Sequence, residues 1–493
     1  MICRPMLAAA PLPCSLLAAL ALGLAGCNGD DASTGASAST GEATTGASES
    51  ATSTATTGDG SGGATGTESD GETSGGLDNP FPVGGCGLAE YPLVDADEMG
   101  RILDWTELFE FSADEINLLL AQQGFEKLGP VSSGARLYLI RYVTQDRGEA
   151  VEATGFIAVP TDLKGSLPVG VWLHGTTGFT DMCGPTADPQ GGFVPLLMAA
   201  LGFVAVAPDY LGLNGWGAPS GIFHPYVVPE PTAIASLDSI RALYRFAGGE
   251  GDPDFPVEPE ARTILWGASE GGFAALWTDR YAPHYAPEID VVAVVAAVPP
   301  TDTYGLTKYA SSGLSPATGA LAAALVGNHD WYEAQSPLSE ALTAPWDVQL
   351  PSLLDSSCSF DQLDMVGSVD EVYSKWLRDR LAVDDIDGLG VWGCMLERAT
   401  LRTAAIERVR DTPVLITLGE IDDLVYSPLI RADIPVLCGQ GYRIEHIECA
   451  GAGHVEGAIE SLTLQRDWAY ARLAGEPLEN VCVVNEPIDC SML

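Results

Sequence analysis

The feature that most constrains this chain is a series of short, unbroken apolar runs: Val169–Leu173, Phe203–Ala207, Thr263–Trp266, Val291–Val298 and Val414–Leu418. A strand with one wet face alternates apolar and polar residues. A run without alternation suits a strand covered on both faces, as in a parallel sheet sandwiched between helices. Helical stretches at Thr232–Phe246, Gly271–Arg280 and Glu456–Leu473 lie among these runs. The order strand, helix, strand predicts an α/β fold with right-handed crossovers. Ahead of it, Arg136–Thr144 alternates like a strand and turns at Gln145–Gly148 into a second strand, Val151–Pro160. Functional groups in such sheets collect at the carboxyl ends of the strands.

Between Pro299 and Arg410 the regular pattern stops for far longer than one crossover requires. The segment carries helical stretches at Gly319–Val326, Val369–Leu381 and Leu396–Arg408, together with Trp331, Tyr332 and Trp346. It is expected to be a helical cap, at about 300–410, inserted over the sheet edge. The alternative is an independent second domain. The sheet pattern resumes directly afterwards, which favours the cap.

The front of the chain is of another kind. Residues 1–27 carry one charge, Arg4, then an apolar run from Leu16 to Leu24 ending in small residues, the pattern of a secretory signal. That run is too short for a permanent membrane span. Its ending, Leu24-Ala25-Gly26-Cys27, resembles a bacterial lipobox, which implies cleavage after residue 26 and lipidation of Cys27; an ordinary signal with an incidental cysteine is the alternative. From Asn28 to Gly76 there is no aromatic residue, no Leu, Ile or Val, and no Lys or Arg. Such a segment cannot bury enough surface to offset its ordering entropy and is expected to be an extended linker. The expected organisation is therefore a signal at 1–26, a linker at 27–78 and a folded domain at 79–493.

Export agrees with the cysteines. Beyond Cys3, Cys14 and Cys27, eight remain: Cys86, Cys183, Cys358, Cys394, Cys438, Cys449, Cys482 and Cys490. An even number in an exported domain suggests disulfides. Nearness in sequence suggests Cys482–Cys490, Cys438–Cys449, Cys358–Cys394 and Cys86–Cys183. Charge removes one class of partner. The 493 residues hold 23 Lys and Arg against 67 Asp and Glu, a formal net charge of −44. A nucleic-acid binder needs a basic footprint, and this chain has none. Residues 1–78 carry nine of the acids, so the acidity belongs mainly to the folded part, as expected of a protein kept soluble in a salty exterior.

Gly267-Ala268-Ser269-Glu270-Gly271 is G-x-S-x-G. It follows an apolar strand and opens a helical stretch, the strand–turn–helix setting of a nucleophile elbow. There the serine oxygen is exposed at a strand end, and the backbone N–H of Glu270 can face a developing oxyanion. His174-Gly175-Thr176-Thr177-Gly178 places a second Gly-rich loop after a strand; by position Thr176 supplies the other oxyanion N–H, with Thr177 as the rival. His174 is expected to be structural, since it comes early in the chain. A serine needs a neutral imidazole to take its proton, and the imidazole needs a carboxylate to fix its tautomer. Asp422 follows the strand Val414–Leu418, with Asp423 and Glu420 as rivals. His454 follows Tyr442–Glu448 in a Gly-rich loop. The catalytic candidates are thus Ser269, Asp422 and His454.

These residues carry a resemblance. From about Arg136 to Leu473 the chain resembles the α/β-hydrolase superfamily, and within it is similar to the secretory lipase family and its bacterial relatives. The echoes are Arg141-Tyr142, Val159-Pro160, HGTTG with Cys183 soon after, Ala207-Pro208-Asp209-Tyr210-Leu211-Gly212, His224-Pro225-Tyr226, Leu237-Asp238 and GEIDDLV. The resemblance implies ester or lipid hydrolysis, a helical lid, and Ser269, Asp422 and His454 as the catalytic residues. No metal or cofactor is required by that chemistry. The expected partners are a small-molecule ester or lipid and a membrane held through Cys27. Two other readings are a serine peptidase of the prolyl-oligopeptidase kind and a non-catalytic surface binding protein on a decayed hydrolase fold. Nothing here repeats as a propeller would, and a full set of catalytic candidates argues against decay.

Overall fold

The unbroken apolar runs become the middle of a nine-stranded sheet. The computed structural model describes residues 79–81 and 86–490; the expected signal, Cys27 and the linker lie outside the described residues. The strands are β1 (Ile102–Phe111), β2 (Ala135–Asp146), β3 (Glu149–Pro160), β4 (Ser166–Leu173), β5 (Val204–Pro208), β6 (Glu258–Ala268), β7 (Asp290–Ala297), β8 (Pro413–Gly419) and β9 (Arg443–Cys449). Their order is β1-β2-β3-β5-β4-β6-β7-β8-β9. The pairs from β1 to β3, and β3 with β5, are antiparallel; every pair from β5 through β9 is parallel.

Burial explains the runs. Along β6, Leu265 enters one core while Ile264 and Trp266 enter another; along β7, Val294 and Ala296 go one way and Ala293 and Val295 the other. The first core is covered by α3 (Pro229–Arg245), α4 (Glu270–Tyr285) and α11 (Ser427–Gly439), through residues such as Leu237, Phe273 and Ile430. The second is covered by α1 (Ala113–Gln122), α2 (Phe193–Ala200) and α13 (Leu462–Leu473), through Ile116, Leu197 and Trp468. Neither face meets water, which is why these strands carry few polar side chains.

The insertion between β7 and β8 is helical, as expected. It comprises α5 (Thr303–Ser312), α6 (Ala317–Trp331), α7 (Trp346–Ser356), α8 (Lys375–Ala382), α9 (Ile386–Leu389) and α10 (Val391–Arg398). Its apolar residues, among them Leu350, Tyr373, Leu377 and Trp392, join the first core without a break. Two helical expectations inside it need correction. The helix expected at Val369–Leu381 starts only at Lys375, capped by the Ser374 side chain, which accepts from the Leu377 N–H. The one expected at Leu396–Arg408 ends at Arg398. Likewise Glu456–Leu473 is two helices, α12 (His454–Glu460) and α13, separated at Ser461.

All four disulfides differ from pairing by nearness. They are Cys86–Cys394, Cys183–Cys358, Cys438–Cys482 and Cys449–Cys490. The first two staple the cap (Cys394, Cys358) to segments outside it. The other two pin the C-terminal tail to α11 and to the end of β9. The bridges join elements distant in sequence, where loop-closure constraint on the unfolded chain is largest.

Several carboxyls are buried in this frame. Glu230, in the first turn of α3, accepts from the Tyr91 hydroxyl. Burial pushes its carboxyl up to about 7, and the Tyr91 contact offsets part of that rise. Burial likewise raises Asp209, Asp238 and Asp433 to about 6. A carboxyl whose folded value lies above its unfolded value contributes stability at low pH and loses it as pH rises through the folded value. The stability these four carboxyls contribute should therefore decline from about pH 4 to about pH 7. Glu230→Gln should raise the melting temperature relative to wild type more at pH 8 than at pH 5, measured by calorimetry across that range.

Candidate active site

Ser269 sits between β6 and α4 with φ 58° and ψ −122°. A non-glycine residue held there costs about 1–3 kcal/mol, offset by its surroundings. Its N–H donates to the Ala297 carbonyl (2.8 Å) and its own carbonyl accepts from Phe273 N–H (3.1 Å). The flanking glycines are required by contact. A Cβ on Gly267 would lie 2.0 Å from the Gly271 carbonyl oxygen, and one on Gly271 would lie 1.9 Å from that of Leu173. The turn closes only because both side chains are absent.

β6, β8 and β9 are parallel, so the residues that follow them emerge at one sheet edge. His454 Nε2 lies 2.9 Å from Ser269 Oγ, and His454 Nδ1 lies 2.6 Å from Asp422 Oδ2. A carboxylate only accepts, so Nδ1 carries the hydrogen and Nε2 is free to accept from the serine hydroxyl. Asp422 Oδ1 accepts from the N–H groups of Leu424 (3.0 Å) and Val425 (2.9 Å), which fixes the carboxylate. Its rivals are elsewhere: Asp423 is exposed, and Glu420 Oε2 accepts from Gly451 N–H at 2.8 Å, bracing the loop that carries His454. The β8 and β9 loops approach closely; a Cβ on Gly419 would lie 2.1 Å from the Gly453 carbonyl oxygen. The other histidines are engaged away from the serine. His284 and His329 donate to carbonyls, and His446 Nδ1 accepts from Asn485 N–H (3.1 Å).

On the far side of Ser269 lies the HGTTG loop. His174 Nδ1–H donates to the Gly175 carbonyl (2.6 Å), and burial pushes its pKa down, so it stands as the expected structural group. Its ring stacks on Tyr210 at 4.2 Å. Thr176 is buried, and its hydroxyl is 2.9 Å from that of Tyr226, whose pKa burial raises so that it stays protonated. The Thr177 hydroxyl is buried without a partner. Thr176, Tyr226, Ser269 and Glu270 line one cavity with the cap residues Leu306 and Phe360. It measures ≈ 40 Å³. Ser269 and His454 are only 7% and 8% exposed, and cap residues form part of the wall above Ser269. In the sequence, His224 and Tyr226 stand out only as part of the family resemblance. Their contacts span 46 and 50 residues, and no local pattern announces them.

Sheet order, elbow and inserted cap define an α/β-hydrolase fold. The solved structure of the rice cell wall degrading esterase LipA from Xanthomonas oryzae superposes with a TM-score of 0.63, at 20% identity, over 77% of this chain and 100% of that one. The sequence profile of the secretory lipase family matches residues 193–480, and the chain belongs to that family. Lipase A of Arthroderma benhamiae is 25% identical over 373 residues, 71% of this chain and 73% of that protein. Lipase 2 of Candida albicans is 34% identical over 97 residues, 20% of this chain and 18% of that protein. The family sets the chain among the lipases and esterases, hydrolases of carboxylic esters. Gly271→Ala, which forces a methyl into the Leu173 carbonyl, should cost more than about 2 kcal/mol and cut ester hydrolysis at least about tenfold. Denaturant unfolding and a chromogenic ester assay check this.

Proposed function

We propose that the chain is an exported serine esterase or lipase acting through an acyl-enzyme on Ser269. The observation that carries this reading is the unbroken relay from Asp422 through His454 to Ser269, at 2.6 Å and 2.9 Å. An ester carbonyl binds with its oxygen toward the backbone N–H groups of Thr176 and Glu270. Ser269 Oγ attacks the carbonyl carbon as His454 Nε2 takes its proton, and Asp422 stabilises the imidazolium. The tetrahedral oxyanion is held by the two N–H groups. It collapses as His454 protonates the leaving alcohol. Water, deprotonated by His454, then releases the acid and regenerates Ser269. The α4 N-terminus adds its positive end to the oxyanion site. Cap residues line the cavity at Ser269, which fits the lid implied by the family.

The cap residues Leu306, Leu321 and Phe360 make the substrate-facing wall apolar and favour an acyl group there. Ser269→Ala should abolish hydrolysis of short p-nitrophenyl esters, and Asp422→Asn should lower kcat by about 10³–10⁴-fold by releasing the wrong tautomer. Retained activity in Ser269→Ala would overturn the assignment. A parallel panel of aminoacyl amides should be cleaved far more slowly than acyl esters; the reverse order would favour a peptidase.

Export is supported by the family and by four disulfides, which form in oxidising compartments. Among the described residues no helix is long and apolar enough to cross a membrane. Attachment is proposed to run through lipidated Cys27, with residues 28–78 as the tether. Cys27→Ala should move the protein from the membrane fraction to the soluble extracytoplasmic fraction; an unchanged distribution would remove the anchor.

A further inference from the structure

The two backbone donors assigned to the oxyanion site belong to separate parts of the chain, the loop after β4 and the start of α4. Their side chains, however, converge on one short segment. The Thr176 hydroxyl bonds that of Tyr226 (2.9 Å), and Glu270 Oε1 faces His224 Nε2 (2.8 Å). His224 Nδ1–H donates to the Leu211 carbonyl (2.8 Å), which orients the ring with Nε2 facing the Glu270 carboxyl. His224 is fully buried and Glu270 is 2% exposed. The segment is itself held. His224 N–H donates to the Phe179 carbonyl (3.0 Å), and Tyr226 N–H to the His224 carbonyl (2.8 Å). The Asn328 side-chain amide of α6 donates to the Tyr226 carbonyl (3.2 Å). A Cβ on Gly327 would lie 2.9 Å from Tyr226 N, so α6 and this segment are in direct contact. The Tyr210 ring lies parallel between His224 and His174, and its hydroxyl donates to the His174 carbonyl (3.0 Å).

We propose that His224-Pro225-Tyr226 is a positioning bracket that sets the separation of the Thr176 and Glu270 N–H groups, with His224, Tyr226 and the Glu270 carboxyl as positioning residues for the reaction. The inference rests on the assignment of Ser269 as nucleophile and of those two N–H groups as oxyanion donors. Neither Glu270 nor Tyr226 is asked to transfer a proton. Their side chains tie the two loops together beyond Leu173 and Gly267, the last paired residues of β4 and β6. Pre-set donors gain their effect by needing no reorganisation when charge develops on the substrate oxygen, and a small displacement of a catalytic group is costly in rate.

The test compares ester substrates with their thionoester counterparts, in which sulfur replaces the carbonyl oxygen and accepts hydrogen bonds poorly. Tyr226→Phe keeps the ring and removes only the hydroxyl. It should lower kcat for the ester about tenfold, with KM within about twofold, and lower the ester-to-thionoester rate ratio by a similar factor, because the thionoester depends little on the donors. Glu270→Leu should lose about 100-fold, and Glu270→Gln, which keeps a hydrogen bond to His224, should recover at least about tenfold of that loss. Melting temperatures are measured alongside, and Tyr226→Phe carries the test if Glu270→Leu does not fold. An unchanged kcat in Tyr226→Phe, or ester and thionoester rates falling together, overturns the bracket. Ser269→Ala separates the two levels. If that variant stays active, the underlying assignment fails; if it is inactive while the bracket variants keep wild-type rates and ratios, the bracket alone fails.

Discussion

Everything at this site depends on how closely β6, α4 and β4 approach around Ser269. Backbone carbonyls of Gly271 and Leu173 occupy the space that side chains on Gly267 and Gly271 would need. That approach forces Ser269 into a left-handed φ and turns its hydroxyl out of the sheet edge. It also brings the loop after β4 and the first turn of α4 together beside the serine, where Thr176, Ser269 and Glu270 line one cavity. On the opposite side, the loops after β8 and β9 close on each other over Gly419 and Gly453, which sets His454 between Asp422 and Ser269. The polar chemistry is thus a consequence of backbone packing at glycines.

The cap is part of the same core. Its apolar residues run without a gap into the layer of α3 and α4, and two disulfides tie it to the body through Cys86 and Cys183. A cap tethered in this way can shift only about fixed points. Arg402 supplies a further tie, bridging Asp302 at the start of the cap (2.9 Å) and Asp433 in α11 (3.3 Å). The packing of α6 against His224-Pro225-Tyr226 means that the cap also touches the segment bonded to the Thr176 and Glu270 side chains.

What could be read from the sequence follows from where each signal is local. Strands β4 to β8 declared themselves because both faces are buried, and the elbow because its glycines are adjacent in sequence. The acid and base candidates were found because each follows a strand directly. β1 was missed: it is an edge strand with half-exposed residues throughout and no clean alternation. α1 was also missed, although Ser112 and Glu115 form a capping box that the sequence spells out. The disulfides were beyond reach, since each joins elements brought together only by the tertiary fold, as Cys86 and Cys394 are across 308 residues. Asp422 and Asp423 are told apart only by burial and hydrogen bonding. His224 and Tyr226 acquire meaning only when two distant loops meet on them.

The central claim is that Ser269 is the nucleophile and that the Thr176 and Glu270 N–H groups face the oxygen of its tetrahedral adduct. A crystal structure of the enzyme inhibited by an alkyl fluorophosphonate tests this directly. The account predicts phosphorus bonded to Ser269 Oγ, with the phosphoryl oxygen within about 3 Å of both N–H groups. An adduct on another residue, or a phosphoryl oxygen turned away from Thr176 and Glu270, would contradict it.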